Sequence, residues 1–345
     1  MDEKRKEEEI HELTADEIDE LVFEEQLASG EYDEEVPEYY FSNPDPYAKV
    51  EPRPDDAPKR EFTFDEKGNI VVKNLSAFWL PDVKIVDEIG GTEYSYGSPE
   101  GITAKEFYRL QRAGNFATTS QINPTIYFKH FEPCLRQGTD ILYLCFSSGL
   151  SGTYQSAFLA VEELQQEYPE RRIICIDTLA AAVGEGFLVR EAAKKQREGL
   201  SIDELASWVM EHRLEVCHWF TVDTFTHLKH GGRVSGAAAA MGTALQIKPL
   251  LHVDSEGKLQ AVEKPRGRKK AVTTQIARME QGWKPELGKS ILIGHADDPE
   301  AADMLKERLL EQFPDSEICI AYIGPIIGAH TGPGALALIY WGNNR

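Results

Sequence analysis

The stretch DILYLCFSSGLSGTYQSAFLAVEELQQEY, residues 140–168, decides the class of fold. It opens with an apolar run, passes through a loop of hydroxyl side chains and glycines, and continues in a helical pattern. The same order returns downstream, where RIICID (172–177) precedes AAAVGEGFLVREAAKKQ (180–196). Continuously apolar strands that alternate with helices predict parallel sheets covered by helices on both faces.

The C-terminal half continues this alternation with a second set of apolar runs. Strand-like segments include CHWFTVDT (217–224) and ICIAYIG (318–324), and a helix is predicted around AADMLKERLLEQF (301–313). The chain of 345 residues exceeds the size, about 250–300 residues, at which a single hydrophobic core stops growing. The sequence therefore predicts an α/β fold with two domains, residues 61–225 and 226–345, each built on a mostly parallel sheet covered by helices.

Residues 1–60 differ in composition from the rest of the chain. They contain 21 Asp and Glu against 7 Lys and Arg, so two thirds of the formal charge of -21 lies in this acidic extension. A capping-box pattern at Thr14–Glu17 predicts a helix start, and the proline-rich, acidic segment 31–59 predicts a partly flexible linker. Nucleic-acid binding requires a clustered positive field, so we expect no nucleic-acid partner.

The five cysteines predict buried thiols in a reducing compartment. They form no C-x-x-C pair, and four of them, Cys145, Cys175, Cys217 and Cys319, lie in or beside apolar strand-like runs. The N-terminus has no apolar signal-peptide region, and no run approaches the roughly 18 apolar residues of a membrane span. We therefore expect a cytoplasmic protein without stable membrane insertion.

Two hydroxyl-rich segments are candidates for anion binding. In FSSGLSGTYQSA (146–157), Ser147 and Ser148 directly follow a strand, where the carboxyl end of an open sheet meets helix N-termini. The two glycines of this loop would let backbone N–H groups approach a ligand, although a Ser/Thr-rich helix cap is the alternative interpretation. The second segment, FATTSQINP (116–124), is predicted as a loop ending in a proline turn, and its hydroxyls are equally typical of turns.

Three further positions carry charge or acid–base chemistry. His330, in IGAHTGPGALAL, stands between two small-residue loops before a predicted strand, where an imidazole can donate a hydrogen bond to a carboxylate. Arg233, in KHGGRVSG, suits bidentate binding of carboxylate or phosphate, with a surface salt bridge as the alternative. The basic run KPRGRKK (264–270) fits an anionic ligand or partner, or a solvated face.

Several motifs of well-known chemistry are missing from the sequence. It contains no G-x-x-x-x-G-K-[ST] loop for a nucleotide, no H-E-x-x-H zinc motif and no G-x-S-x-G nucleophile elbow. We therefore expect no cofactor and no metal ion, and the hydroxyl groups have no companion ATP site in this chain.

Four separated segments together resemble the DegV family, which includes the fatty-acid-binding subunits of bacterial fatty acid kinase. Their order and spacing agree with the family over roughly residues 100–340. The matching segments are TTSQ (118–121), SSGLSGTYQSA (147–157), GGRVSGAAAAMGTALQIKPLL (231–251) with KPRGRKKA (264–271), and GPIIGAHTGPGALAL (324–338).

The resemblance implies a lipid-binding protein that is not itself an enzyme. It implies one long-chain fatty acid, about C14 to C18, with its tail in a hydrophobic tunnel of the C-terminal domain. The residues that match the family's carboxylate-binding groups are Thr119, Ser147, Ser148 and His330, and among the serines we favour Ser148. Arg233 matches an arginine associated with phosphoryl transfer, which a separate ATP-binding kinase subunit carries out to give an acyl phosphate.

Two other functions stay open at the level of sequence. The chain could be an independent serine hydrolase, with Ser147, Ser148 or Ser151 as nucleophile, His330 as base and Asp177 as the residue that orients it. It could also be a lipid-binding regulatory module whose acidic extension selects the partner.

Overall fold

The structure is a computed structural model that describes residues 62–64, 70–72, 83–87, 90–94, 102–234, 246–343 and 345. The acidic extension, with the helix predicted after Thr14–Glu17 and the linker at 31–59, lies outside the described residues. So does the stretch 235–245, where the sequence predicts a helix leading into a strand.

The described part of the chain contains thirteen strands in four sheets. In chain order these strands are β1 Phe62–Phe64, β2 Ile70–Val72, β3 Val83–Asp87, β4 Gly90–Tyr94, β5 Phe116–Thr119, β6 Ile141–Cys145, β7 Ile173–Asp177, β8 Val216–Thr221, β9 Leu250–Val253, β10 Leu259–Glu263, β11 Ser290–His295, β12 Glu317–Tyr322 and β13 Leu336–Trp341.

Nine α-helices lie between these strands in the same described ranges, with one 3-10 helix at Arg213–Glu215. The α-helices are α1 Ala104–Arg112, α2 Pro124–Arg136, α3 Thr153–Glu167, α4 Val183–Arg197, α5 Ile202–His212, α6 Thr226–His230, α7 Arg268–Gly282, α8 Pro299–Gln312 and α9 Pro325–Thr331.

The largest sheet has six strands in the order β10-β9-β8-β13-β11-β12. Its β11–β12 pair is parallel, whereas its other four pairs are antiparallel. The α/β class is confirmed, but the expectation of mostly parallel pairing is wrong for this sheet. Every residue of β8, β11 and β13 is buried, because helices cover both faces, and two-sided burial gives a continuous apolar run whatever the strand direction.

The two faces of this sheet belong to two different hydrophobic clusters. On β13, Ala337, Ile339 and Trp341 pack with Val183 and Phe187 of α4. The alternate residues of the same strand pack with helices α7 and α8 on the other face. This alternation is the period of two that side chains follow along any strand.

A smaller parallel sheet pairs β6 with β7, so that Ile141 lies opposite Ile173 and Cys145 opposite Asp177. The loops that leave both strands therefore emerge side by side at one edge. The sheet β4-β3-β5 and the pair β1–β2 are antiparallel. The predicted domain division near residue 225 falls just after β8, which pairs with β9 and β13, and the boundary stays a prediction.

Local signals explain several of the elements. Helix α5 begins with a capping box, in which the hydroxyl of Ser201 accepts the N–H of Glu204 and the carboxylate of Glu204 accepts the N–H of Ser201. Helix α3 follows the serine loop, residues 147–151, as predicted and buries Ala157, Ala160 and Leu164 on one stripe.

All five cysteines have free thiols, and Cys145, Cys217 and Cys319 are buried. The prediction of buried thiols is confirmed for these three, which lie in strands, whereas Cys175 in β7 and Cys134 in α2 are only partly buried. Within the part of the chain that the structure describes, no helix is both long and apolar enough to cross a membrane.

Candidate functional site

Thr119 and His330, which lie 211 positions apart in the chain, meet in the structure. Thr119 is the last residue of β5, and His330 lies in the last turn of α9. Thr119 Oγ1 and His330 Nε2 are 2.8 Å apart, and both side chains are partly buried. Two of the residues selected from sequence are therefore hydrogen-bonded partners.

Neither residue lies in the loop that the sequence predicted. Residues 116–119 form a strand, in which Thr119 lies opposite Val83 of β3, and α2 starts directly after an Asn123 cap. His330 lies in a short helix that begins at Pro325 and ends before Gly332, whose φ is +73°. Proline at the first helical position and glycine just past the last are signals of helix boundaries. The many small residues of this segment led instead to the prediction of loops.

The imidazole of His330 is held neutral by its surroundings. Burial, followed by the charges of Arg233 and His230, lowers its pKa to about 4. Its Nδ1 is buried without a hydrogen-bond partner among the described residues and lies against Gly231. A Cβ atom at Gly231 would lie 2.2 Å from Nδ1, so a larger residue there would displace the ring.

Arg233 connects the histidine side of the site to the serine loop. It lies shortly after α6, and its Nε donates to the carbonyl of Leu150 at 3.3 Å. A second nitrogen of the same guanidinium donates to the carbonyl of Gly231, the residue that packs against His330. The cation is therefore fixed between the two groups that the sequence analysis assigned to anion binding.

Ser147 and Ser148 have different surroundings although they are adjacent. Ser147 is fully buried; its Oγ donates to the carbonyl of Gly257 at 2.8 Å and accepts the N–H of Gly149 at 3.2 Å. Ser148 is exposed, and its hydroxyl has no hydrogen-bond partner among the described residues. The hydroxyl of Ser147 thus anchors the loop, and that of Ser148 is available to a ligand.

The backbone N–H groups of residues 147–151 are all hydrogen-bonded within the chain. The N–H of Ser147 donates to the carbonyl of Ala180, and that of Ser148 donates to Oδ1 of Asp177. The N–H of Gly149 donates to Oγ of Ser147, and those of residues 150 and 151 donate to the carbonyl of Ser147. The expectation that the loop glycines present N–H groups to a ligand is therefore not met at Gly149. Instead, Gly149 admits the turn at 254–257, since a Cβ there would lie 2.7 Å from the carbonyl oxygen of Glu256.

This arrangement argues against a serine hydrolase. A nucleophilic serine must be hydrogen-bonded to its base, but Ser147 donates to a carbonyl, and His330 is bonded to Thr119 instead of a serine. The N–H groups of the serine loop, which would have to stabilise an oxyanion, already have acceptors. The hydroxyl of Ser148, which has no hydrogen-bond partner among the described residues, is a side-chain donor that suits binding of an anion.

Helix α1 contributes two residues that the sequence analysis missed. The hydroxyl of Tyr108 donates to the carbonyl of Ile323 at 2.7 Å, just before α9. The amide of Gln111 donates to the carbonyl of Gly328 within α9 at 3.0 Å. The signal for this helix is its cap, because Thr103 accepts the N–H of Glu106 in a capping pattern.

The cations of the basic run, residues 264–270, differ in their surroundings: one is hydrogen-bonded within the fold and the others are exposed to solvent. Arg268 bonds to the carboxylates of Asp223 and Asp298 and to the carbonyl of Gly334, in the loop that follows His330. Four other cations of the run are exposed: Lys264, Arg266, Lys269 and Lys270. Across the described ranges, no group of three or more His, Cys, Asp or Glu side chains is placed to hold a metal ion.

The fold and these motifs together define the class of protein. The family model described as "Uncharacterised protein, DegV family" matches residues 83–343. A DegV domain-containing protein of Clostridium perfringens is 42% identical over 275 residues, which cover 80% of this chain and 94% of that protein. The chain therefore belongs to the DegV family.

Solved structures of the family share this fold. A fatty-acid-binding DegV family protein of Thermus thermophilus is 30% identical to this chain. Its solved structure has a TM-score of 0.65, and the match covers 76% of this chain and 90% of that one. The fatty acid kinase (Fak) B3 protein of Streptococcus pneumoniae, loaded with linoleic acid, has a TM-score of 0.66 at 21% identity over 75% of this chain and 89% of that one. The second likeness supports the fold alone.

Proposed function

We propose that this protein binds a long-chain fatty acid, about C14 to C18, and presents its carboxylate to a separate kinase subunit. The observation that carries the proposal is the contact between Thr119 and His330, with Arg233 fixed between it and the serine loop. The fatty acid binding described for the Thermus relative supports the same ligand.

The proposed site separates the two ends of the ligand. Burial of a C16 tail supplies about 0.8 kcal/mol per methylene. The resemblance to the DegV family implies that the tail lies in an apolar tunnel of the C-terminal domain, residues 226–345. The carboxylate loses its water on binding and needs several donors in return. Thr119, Ser148 and His330 supply these donors, and Ser147 holds the loop that carries Ser148.

The proposed reaction is phosphorylation of the carboxylate by ATP bound to the partner. One carboxylate oxygen attacks the γ-phosphorus, the bond from that phosphorus to the β,γ-bridging oxygen breaks, and the products are an acyl phosphate and ADP. The carboxylate is already ionised at neutral pH, so no general base is required. Arg233 is the cation that can stabilise the charge of the transferring phosphoryl group.

The first test is the identity of the bound lipid, followed by an acyl phosphate assay with ATP and a candidate kinase subunit. We expect Arg233→Ala to retain the fatty acid and lose most of the acyl phosphate formation. Arg136→Ala is the matched control, because Arg136 is an exposed arginine paired with Glu132 away from the site. Equal acyl phosphate yields from both variants would contradict the role of Arg233.

A further inference from the structure

Asp177, the last residue of β7, lies directly behind the serine loop. Its Oδ1 accepts the N–H of Ser148 at 3.2 Å and that of Leu179 at 3.0 Å. One carboxylate oxygen therefore ties the backbone of the exposed serine to the neighbouring loop, residues 178–182. Because the N–H of Ser148 is fixed, the direction in which its side chain leaves the backbone is fixed as well.

The loop that Asp177 organises is conformationally unusual. Leu179 and Ala182 both have φ of +52°, in the left-handed region that side chains other than glycine rarely occupy. Such residues persist where the surrounding contacts over-determine them, and they concentrate at functional sites. Here the contacts are the Asp177 carboxylate at the N–H of Leu179 and the carbonyl of Ala180, which accepts the N–H of Ser147 at 2.9 Å.

Two arginines, Arg213 and Arg345, extend these hydrogen bonds into a closed ring. Arg213 donates to the carbonyl of Asp177, and Arg345 donates to the carbonyl of Arg213 at 2.6 Å. Arg345 also donates to the carbonyl of Asp254 at 3.1 Å, at the start of the turn whose Gly257 accepts the hydroxyl of Ser147. Hydrogen bonds thus run from Ser148 through these residues back to Ser147.

The charges within the ring are compatible with an anion nearby. An isolated carboxylate so close to Ser148 would repel a negatively charged ligand. The carboxylate of Asp177 is instead occupied by N–H groups, and the guanidinium of Arg213 bonds to the backbone of the same residue. The pKa of Arg345 is lowered to about 10 by burial, so its guanidinium still carries a positive charge at neutral pH.

We propose that Asp177, supported by Arg213, is a positioning residue that holds the hydroxyl of Ser148 toward the carboxylate of the ligand. The inference rests on the proposed fatty acid binding and adds to it the residues that fix the geometry of one donor. Asp177 acts through Ser148 and does not itself contact the ligand.

The test compares two ligands that share a tail and differ at the head, hexadecanoic acid and 1-hexadecanol. We expect Asp177→Ala to weaken binding of the acid by about tenfold, the effect of one hydrogen bond to a charged group, and to leave binding of the alcohol within about twofold of wild type. Asp177→Asn keeps an oxygen that can accept both N–H groups, so it should restore most of the affinity for the acid. Asp203→Ala is the matched control, because the carboxylate of Asp203 is also hydrogen-bonded, to Arg172, but is exposed and away from the loop.

The outcomes separate this inference from the proposed function. An equal loss for acid and alcohol, or no loss for either, would overturn the positioning role while leaving the lipid site intact. If wild type binds neither ligand, the proposed function itself fails. Should Asp177→Ala not fold, Arg213→Ala replaces it, with the same selective loss of the acid expected and Arg213→Lys as the restoring variant.

Discussion

His330 is kept neutral in the free protein by burial and by the nearby charges of Arg233 and His230, which lower its pKa to about 4. A carboxylate bound beside the imidazole would favour the imidazolium and raise that pKa. Binding should then take up a proton at pH values between the free pKa of about 4 and the higher pKa of the complex, so we expect affinity for the fatty acid to rise as the pH falls through that window.

Isothermal titration in two buffers of different ionisation enthalpy measures this proton uptake directly. His330→Gln removes the titrating group and keeps a donor of similar size, so its affinity should vary less with pH than that of wild type. Identical pH profiles for the two proteins would show that His330 does not take up the proton.

Glu185, in the first turn of α4, is a second residue whose surroundings determine its charge. Burial raises its pKa from 4.5 to about 8, so the carboxyl is largely protonated at neutral pH. Below pH 4.5 the carboxyl is protonated in both the folded and the unfolded chain and costs nothing. As the pH rises toward 8 the unfolded chain ionises first, which destabilises the fold.

Glu185→Gln should therefore raise the free energy of unfolding by on the order of 4 kcal/mol at pH 8 and by about 1 kcal/mol or less at pH 5. Urea unfolding at the two pH values measures the difference. Glu163→Gln is the control, since Glu163 is exposed on α3. A gain for Glu185→Gln that is the same at both pH values would contradict the assignment.

At the scale of elements, α1 positions α9 and with it His330. The hydroxyl of Tyr108 reaches the carbonyl of Ile323, and its ring lies against Gly328, where a Cβ would be 2.4 Å from the hydroxyl oxygen. Tyr108→Phe leaves that carbonyl without its donor, so we expect a loss of about 1–2 kcal/mol in stability together with weaker fatty acid binding.

Ser201→Ala provides a control of similar cost at a different place. It removes the N-terminal cap of α5, a helix that forms no hydrogen bond to Thr119 or α9 among the described residues. The loss of this cap should lower the free energy of unfolding by about 1 kcal/mol. Denaturant unfolding and lipid affinity, measured on both variants, test the idea. If both variants bind the lipid like wild type, α1 does not position the site.

Elements with strong local signals were predictable from the sequence, and those defined by distant contacts were not. The serine loop and helix α3 follow from an apolar run, a hydroxyl cluster and a helical period in one stretch, and α5 follows from its capping box. Strand β5 was missed, because Thr118 and Thr119 suit a turn and a strand equally. Its pairing with β3 decides between the two, and no local pattern reports that contact.

The candidate site shows the same division. Residue types and the family resemblance together identified Thr119, Ser147, Ser148, Arg233 and His330 as candidates. The structure brings two of them, Thr119 and His330, into contact. The different roles of Ser147 and Ser148 follow from Gly257, 110 positions away from Ser147, whose carbonyl accepts only one of the two hydroxyls. The sequence of the loop alone does not show which of the two serines this distant carbonyl will bind.

For the whole molecule, the six-stranded sheet explains both the success and the error of the fold prediction. Its central strands are buried on both faces, so their sequences predicted layers of helix, sheet and helix correctly. Strand direction depends on connections between elements, which the apolar runs do not encode. The antiparallel pairs β8–β13 and β11–β13 are the consequence.

Removal of residues 1–60 is a test at the same scale. All the residues proposed to hold the carboxylate lie between 119 and 330, so we expect the shortened protein to bind the fatty acid with unchanged affinity although it loses two thirds of the formal charge. Lipid titration of the two forms is the measurement. A large loss of affinity on deletion would instead favour a regulatory module that depends on the acidic extension.

Mass spectrometry of the lipid released from gently purified, denatured protein tests the central claim most directly. We predict one co-purified fatty acid of about C14 to C18 per chain in wild type, and a much lower content in the triple variant Thr119→Val, Ser148→Ala, His330→Ala at equal folded fraction. Wild-type protein that carries no fatty acid, and takes none up when it is added, would contradict the account.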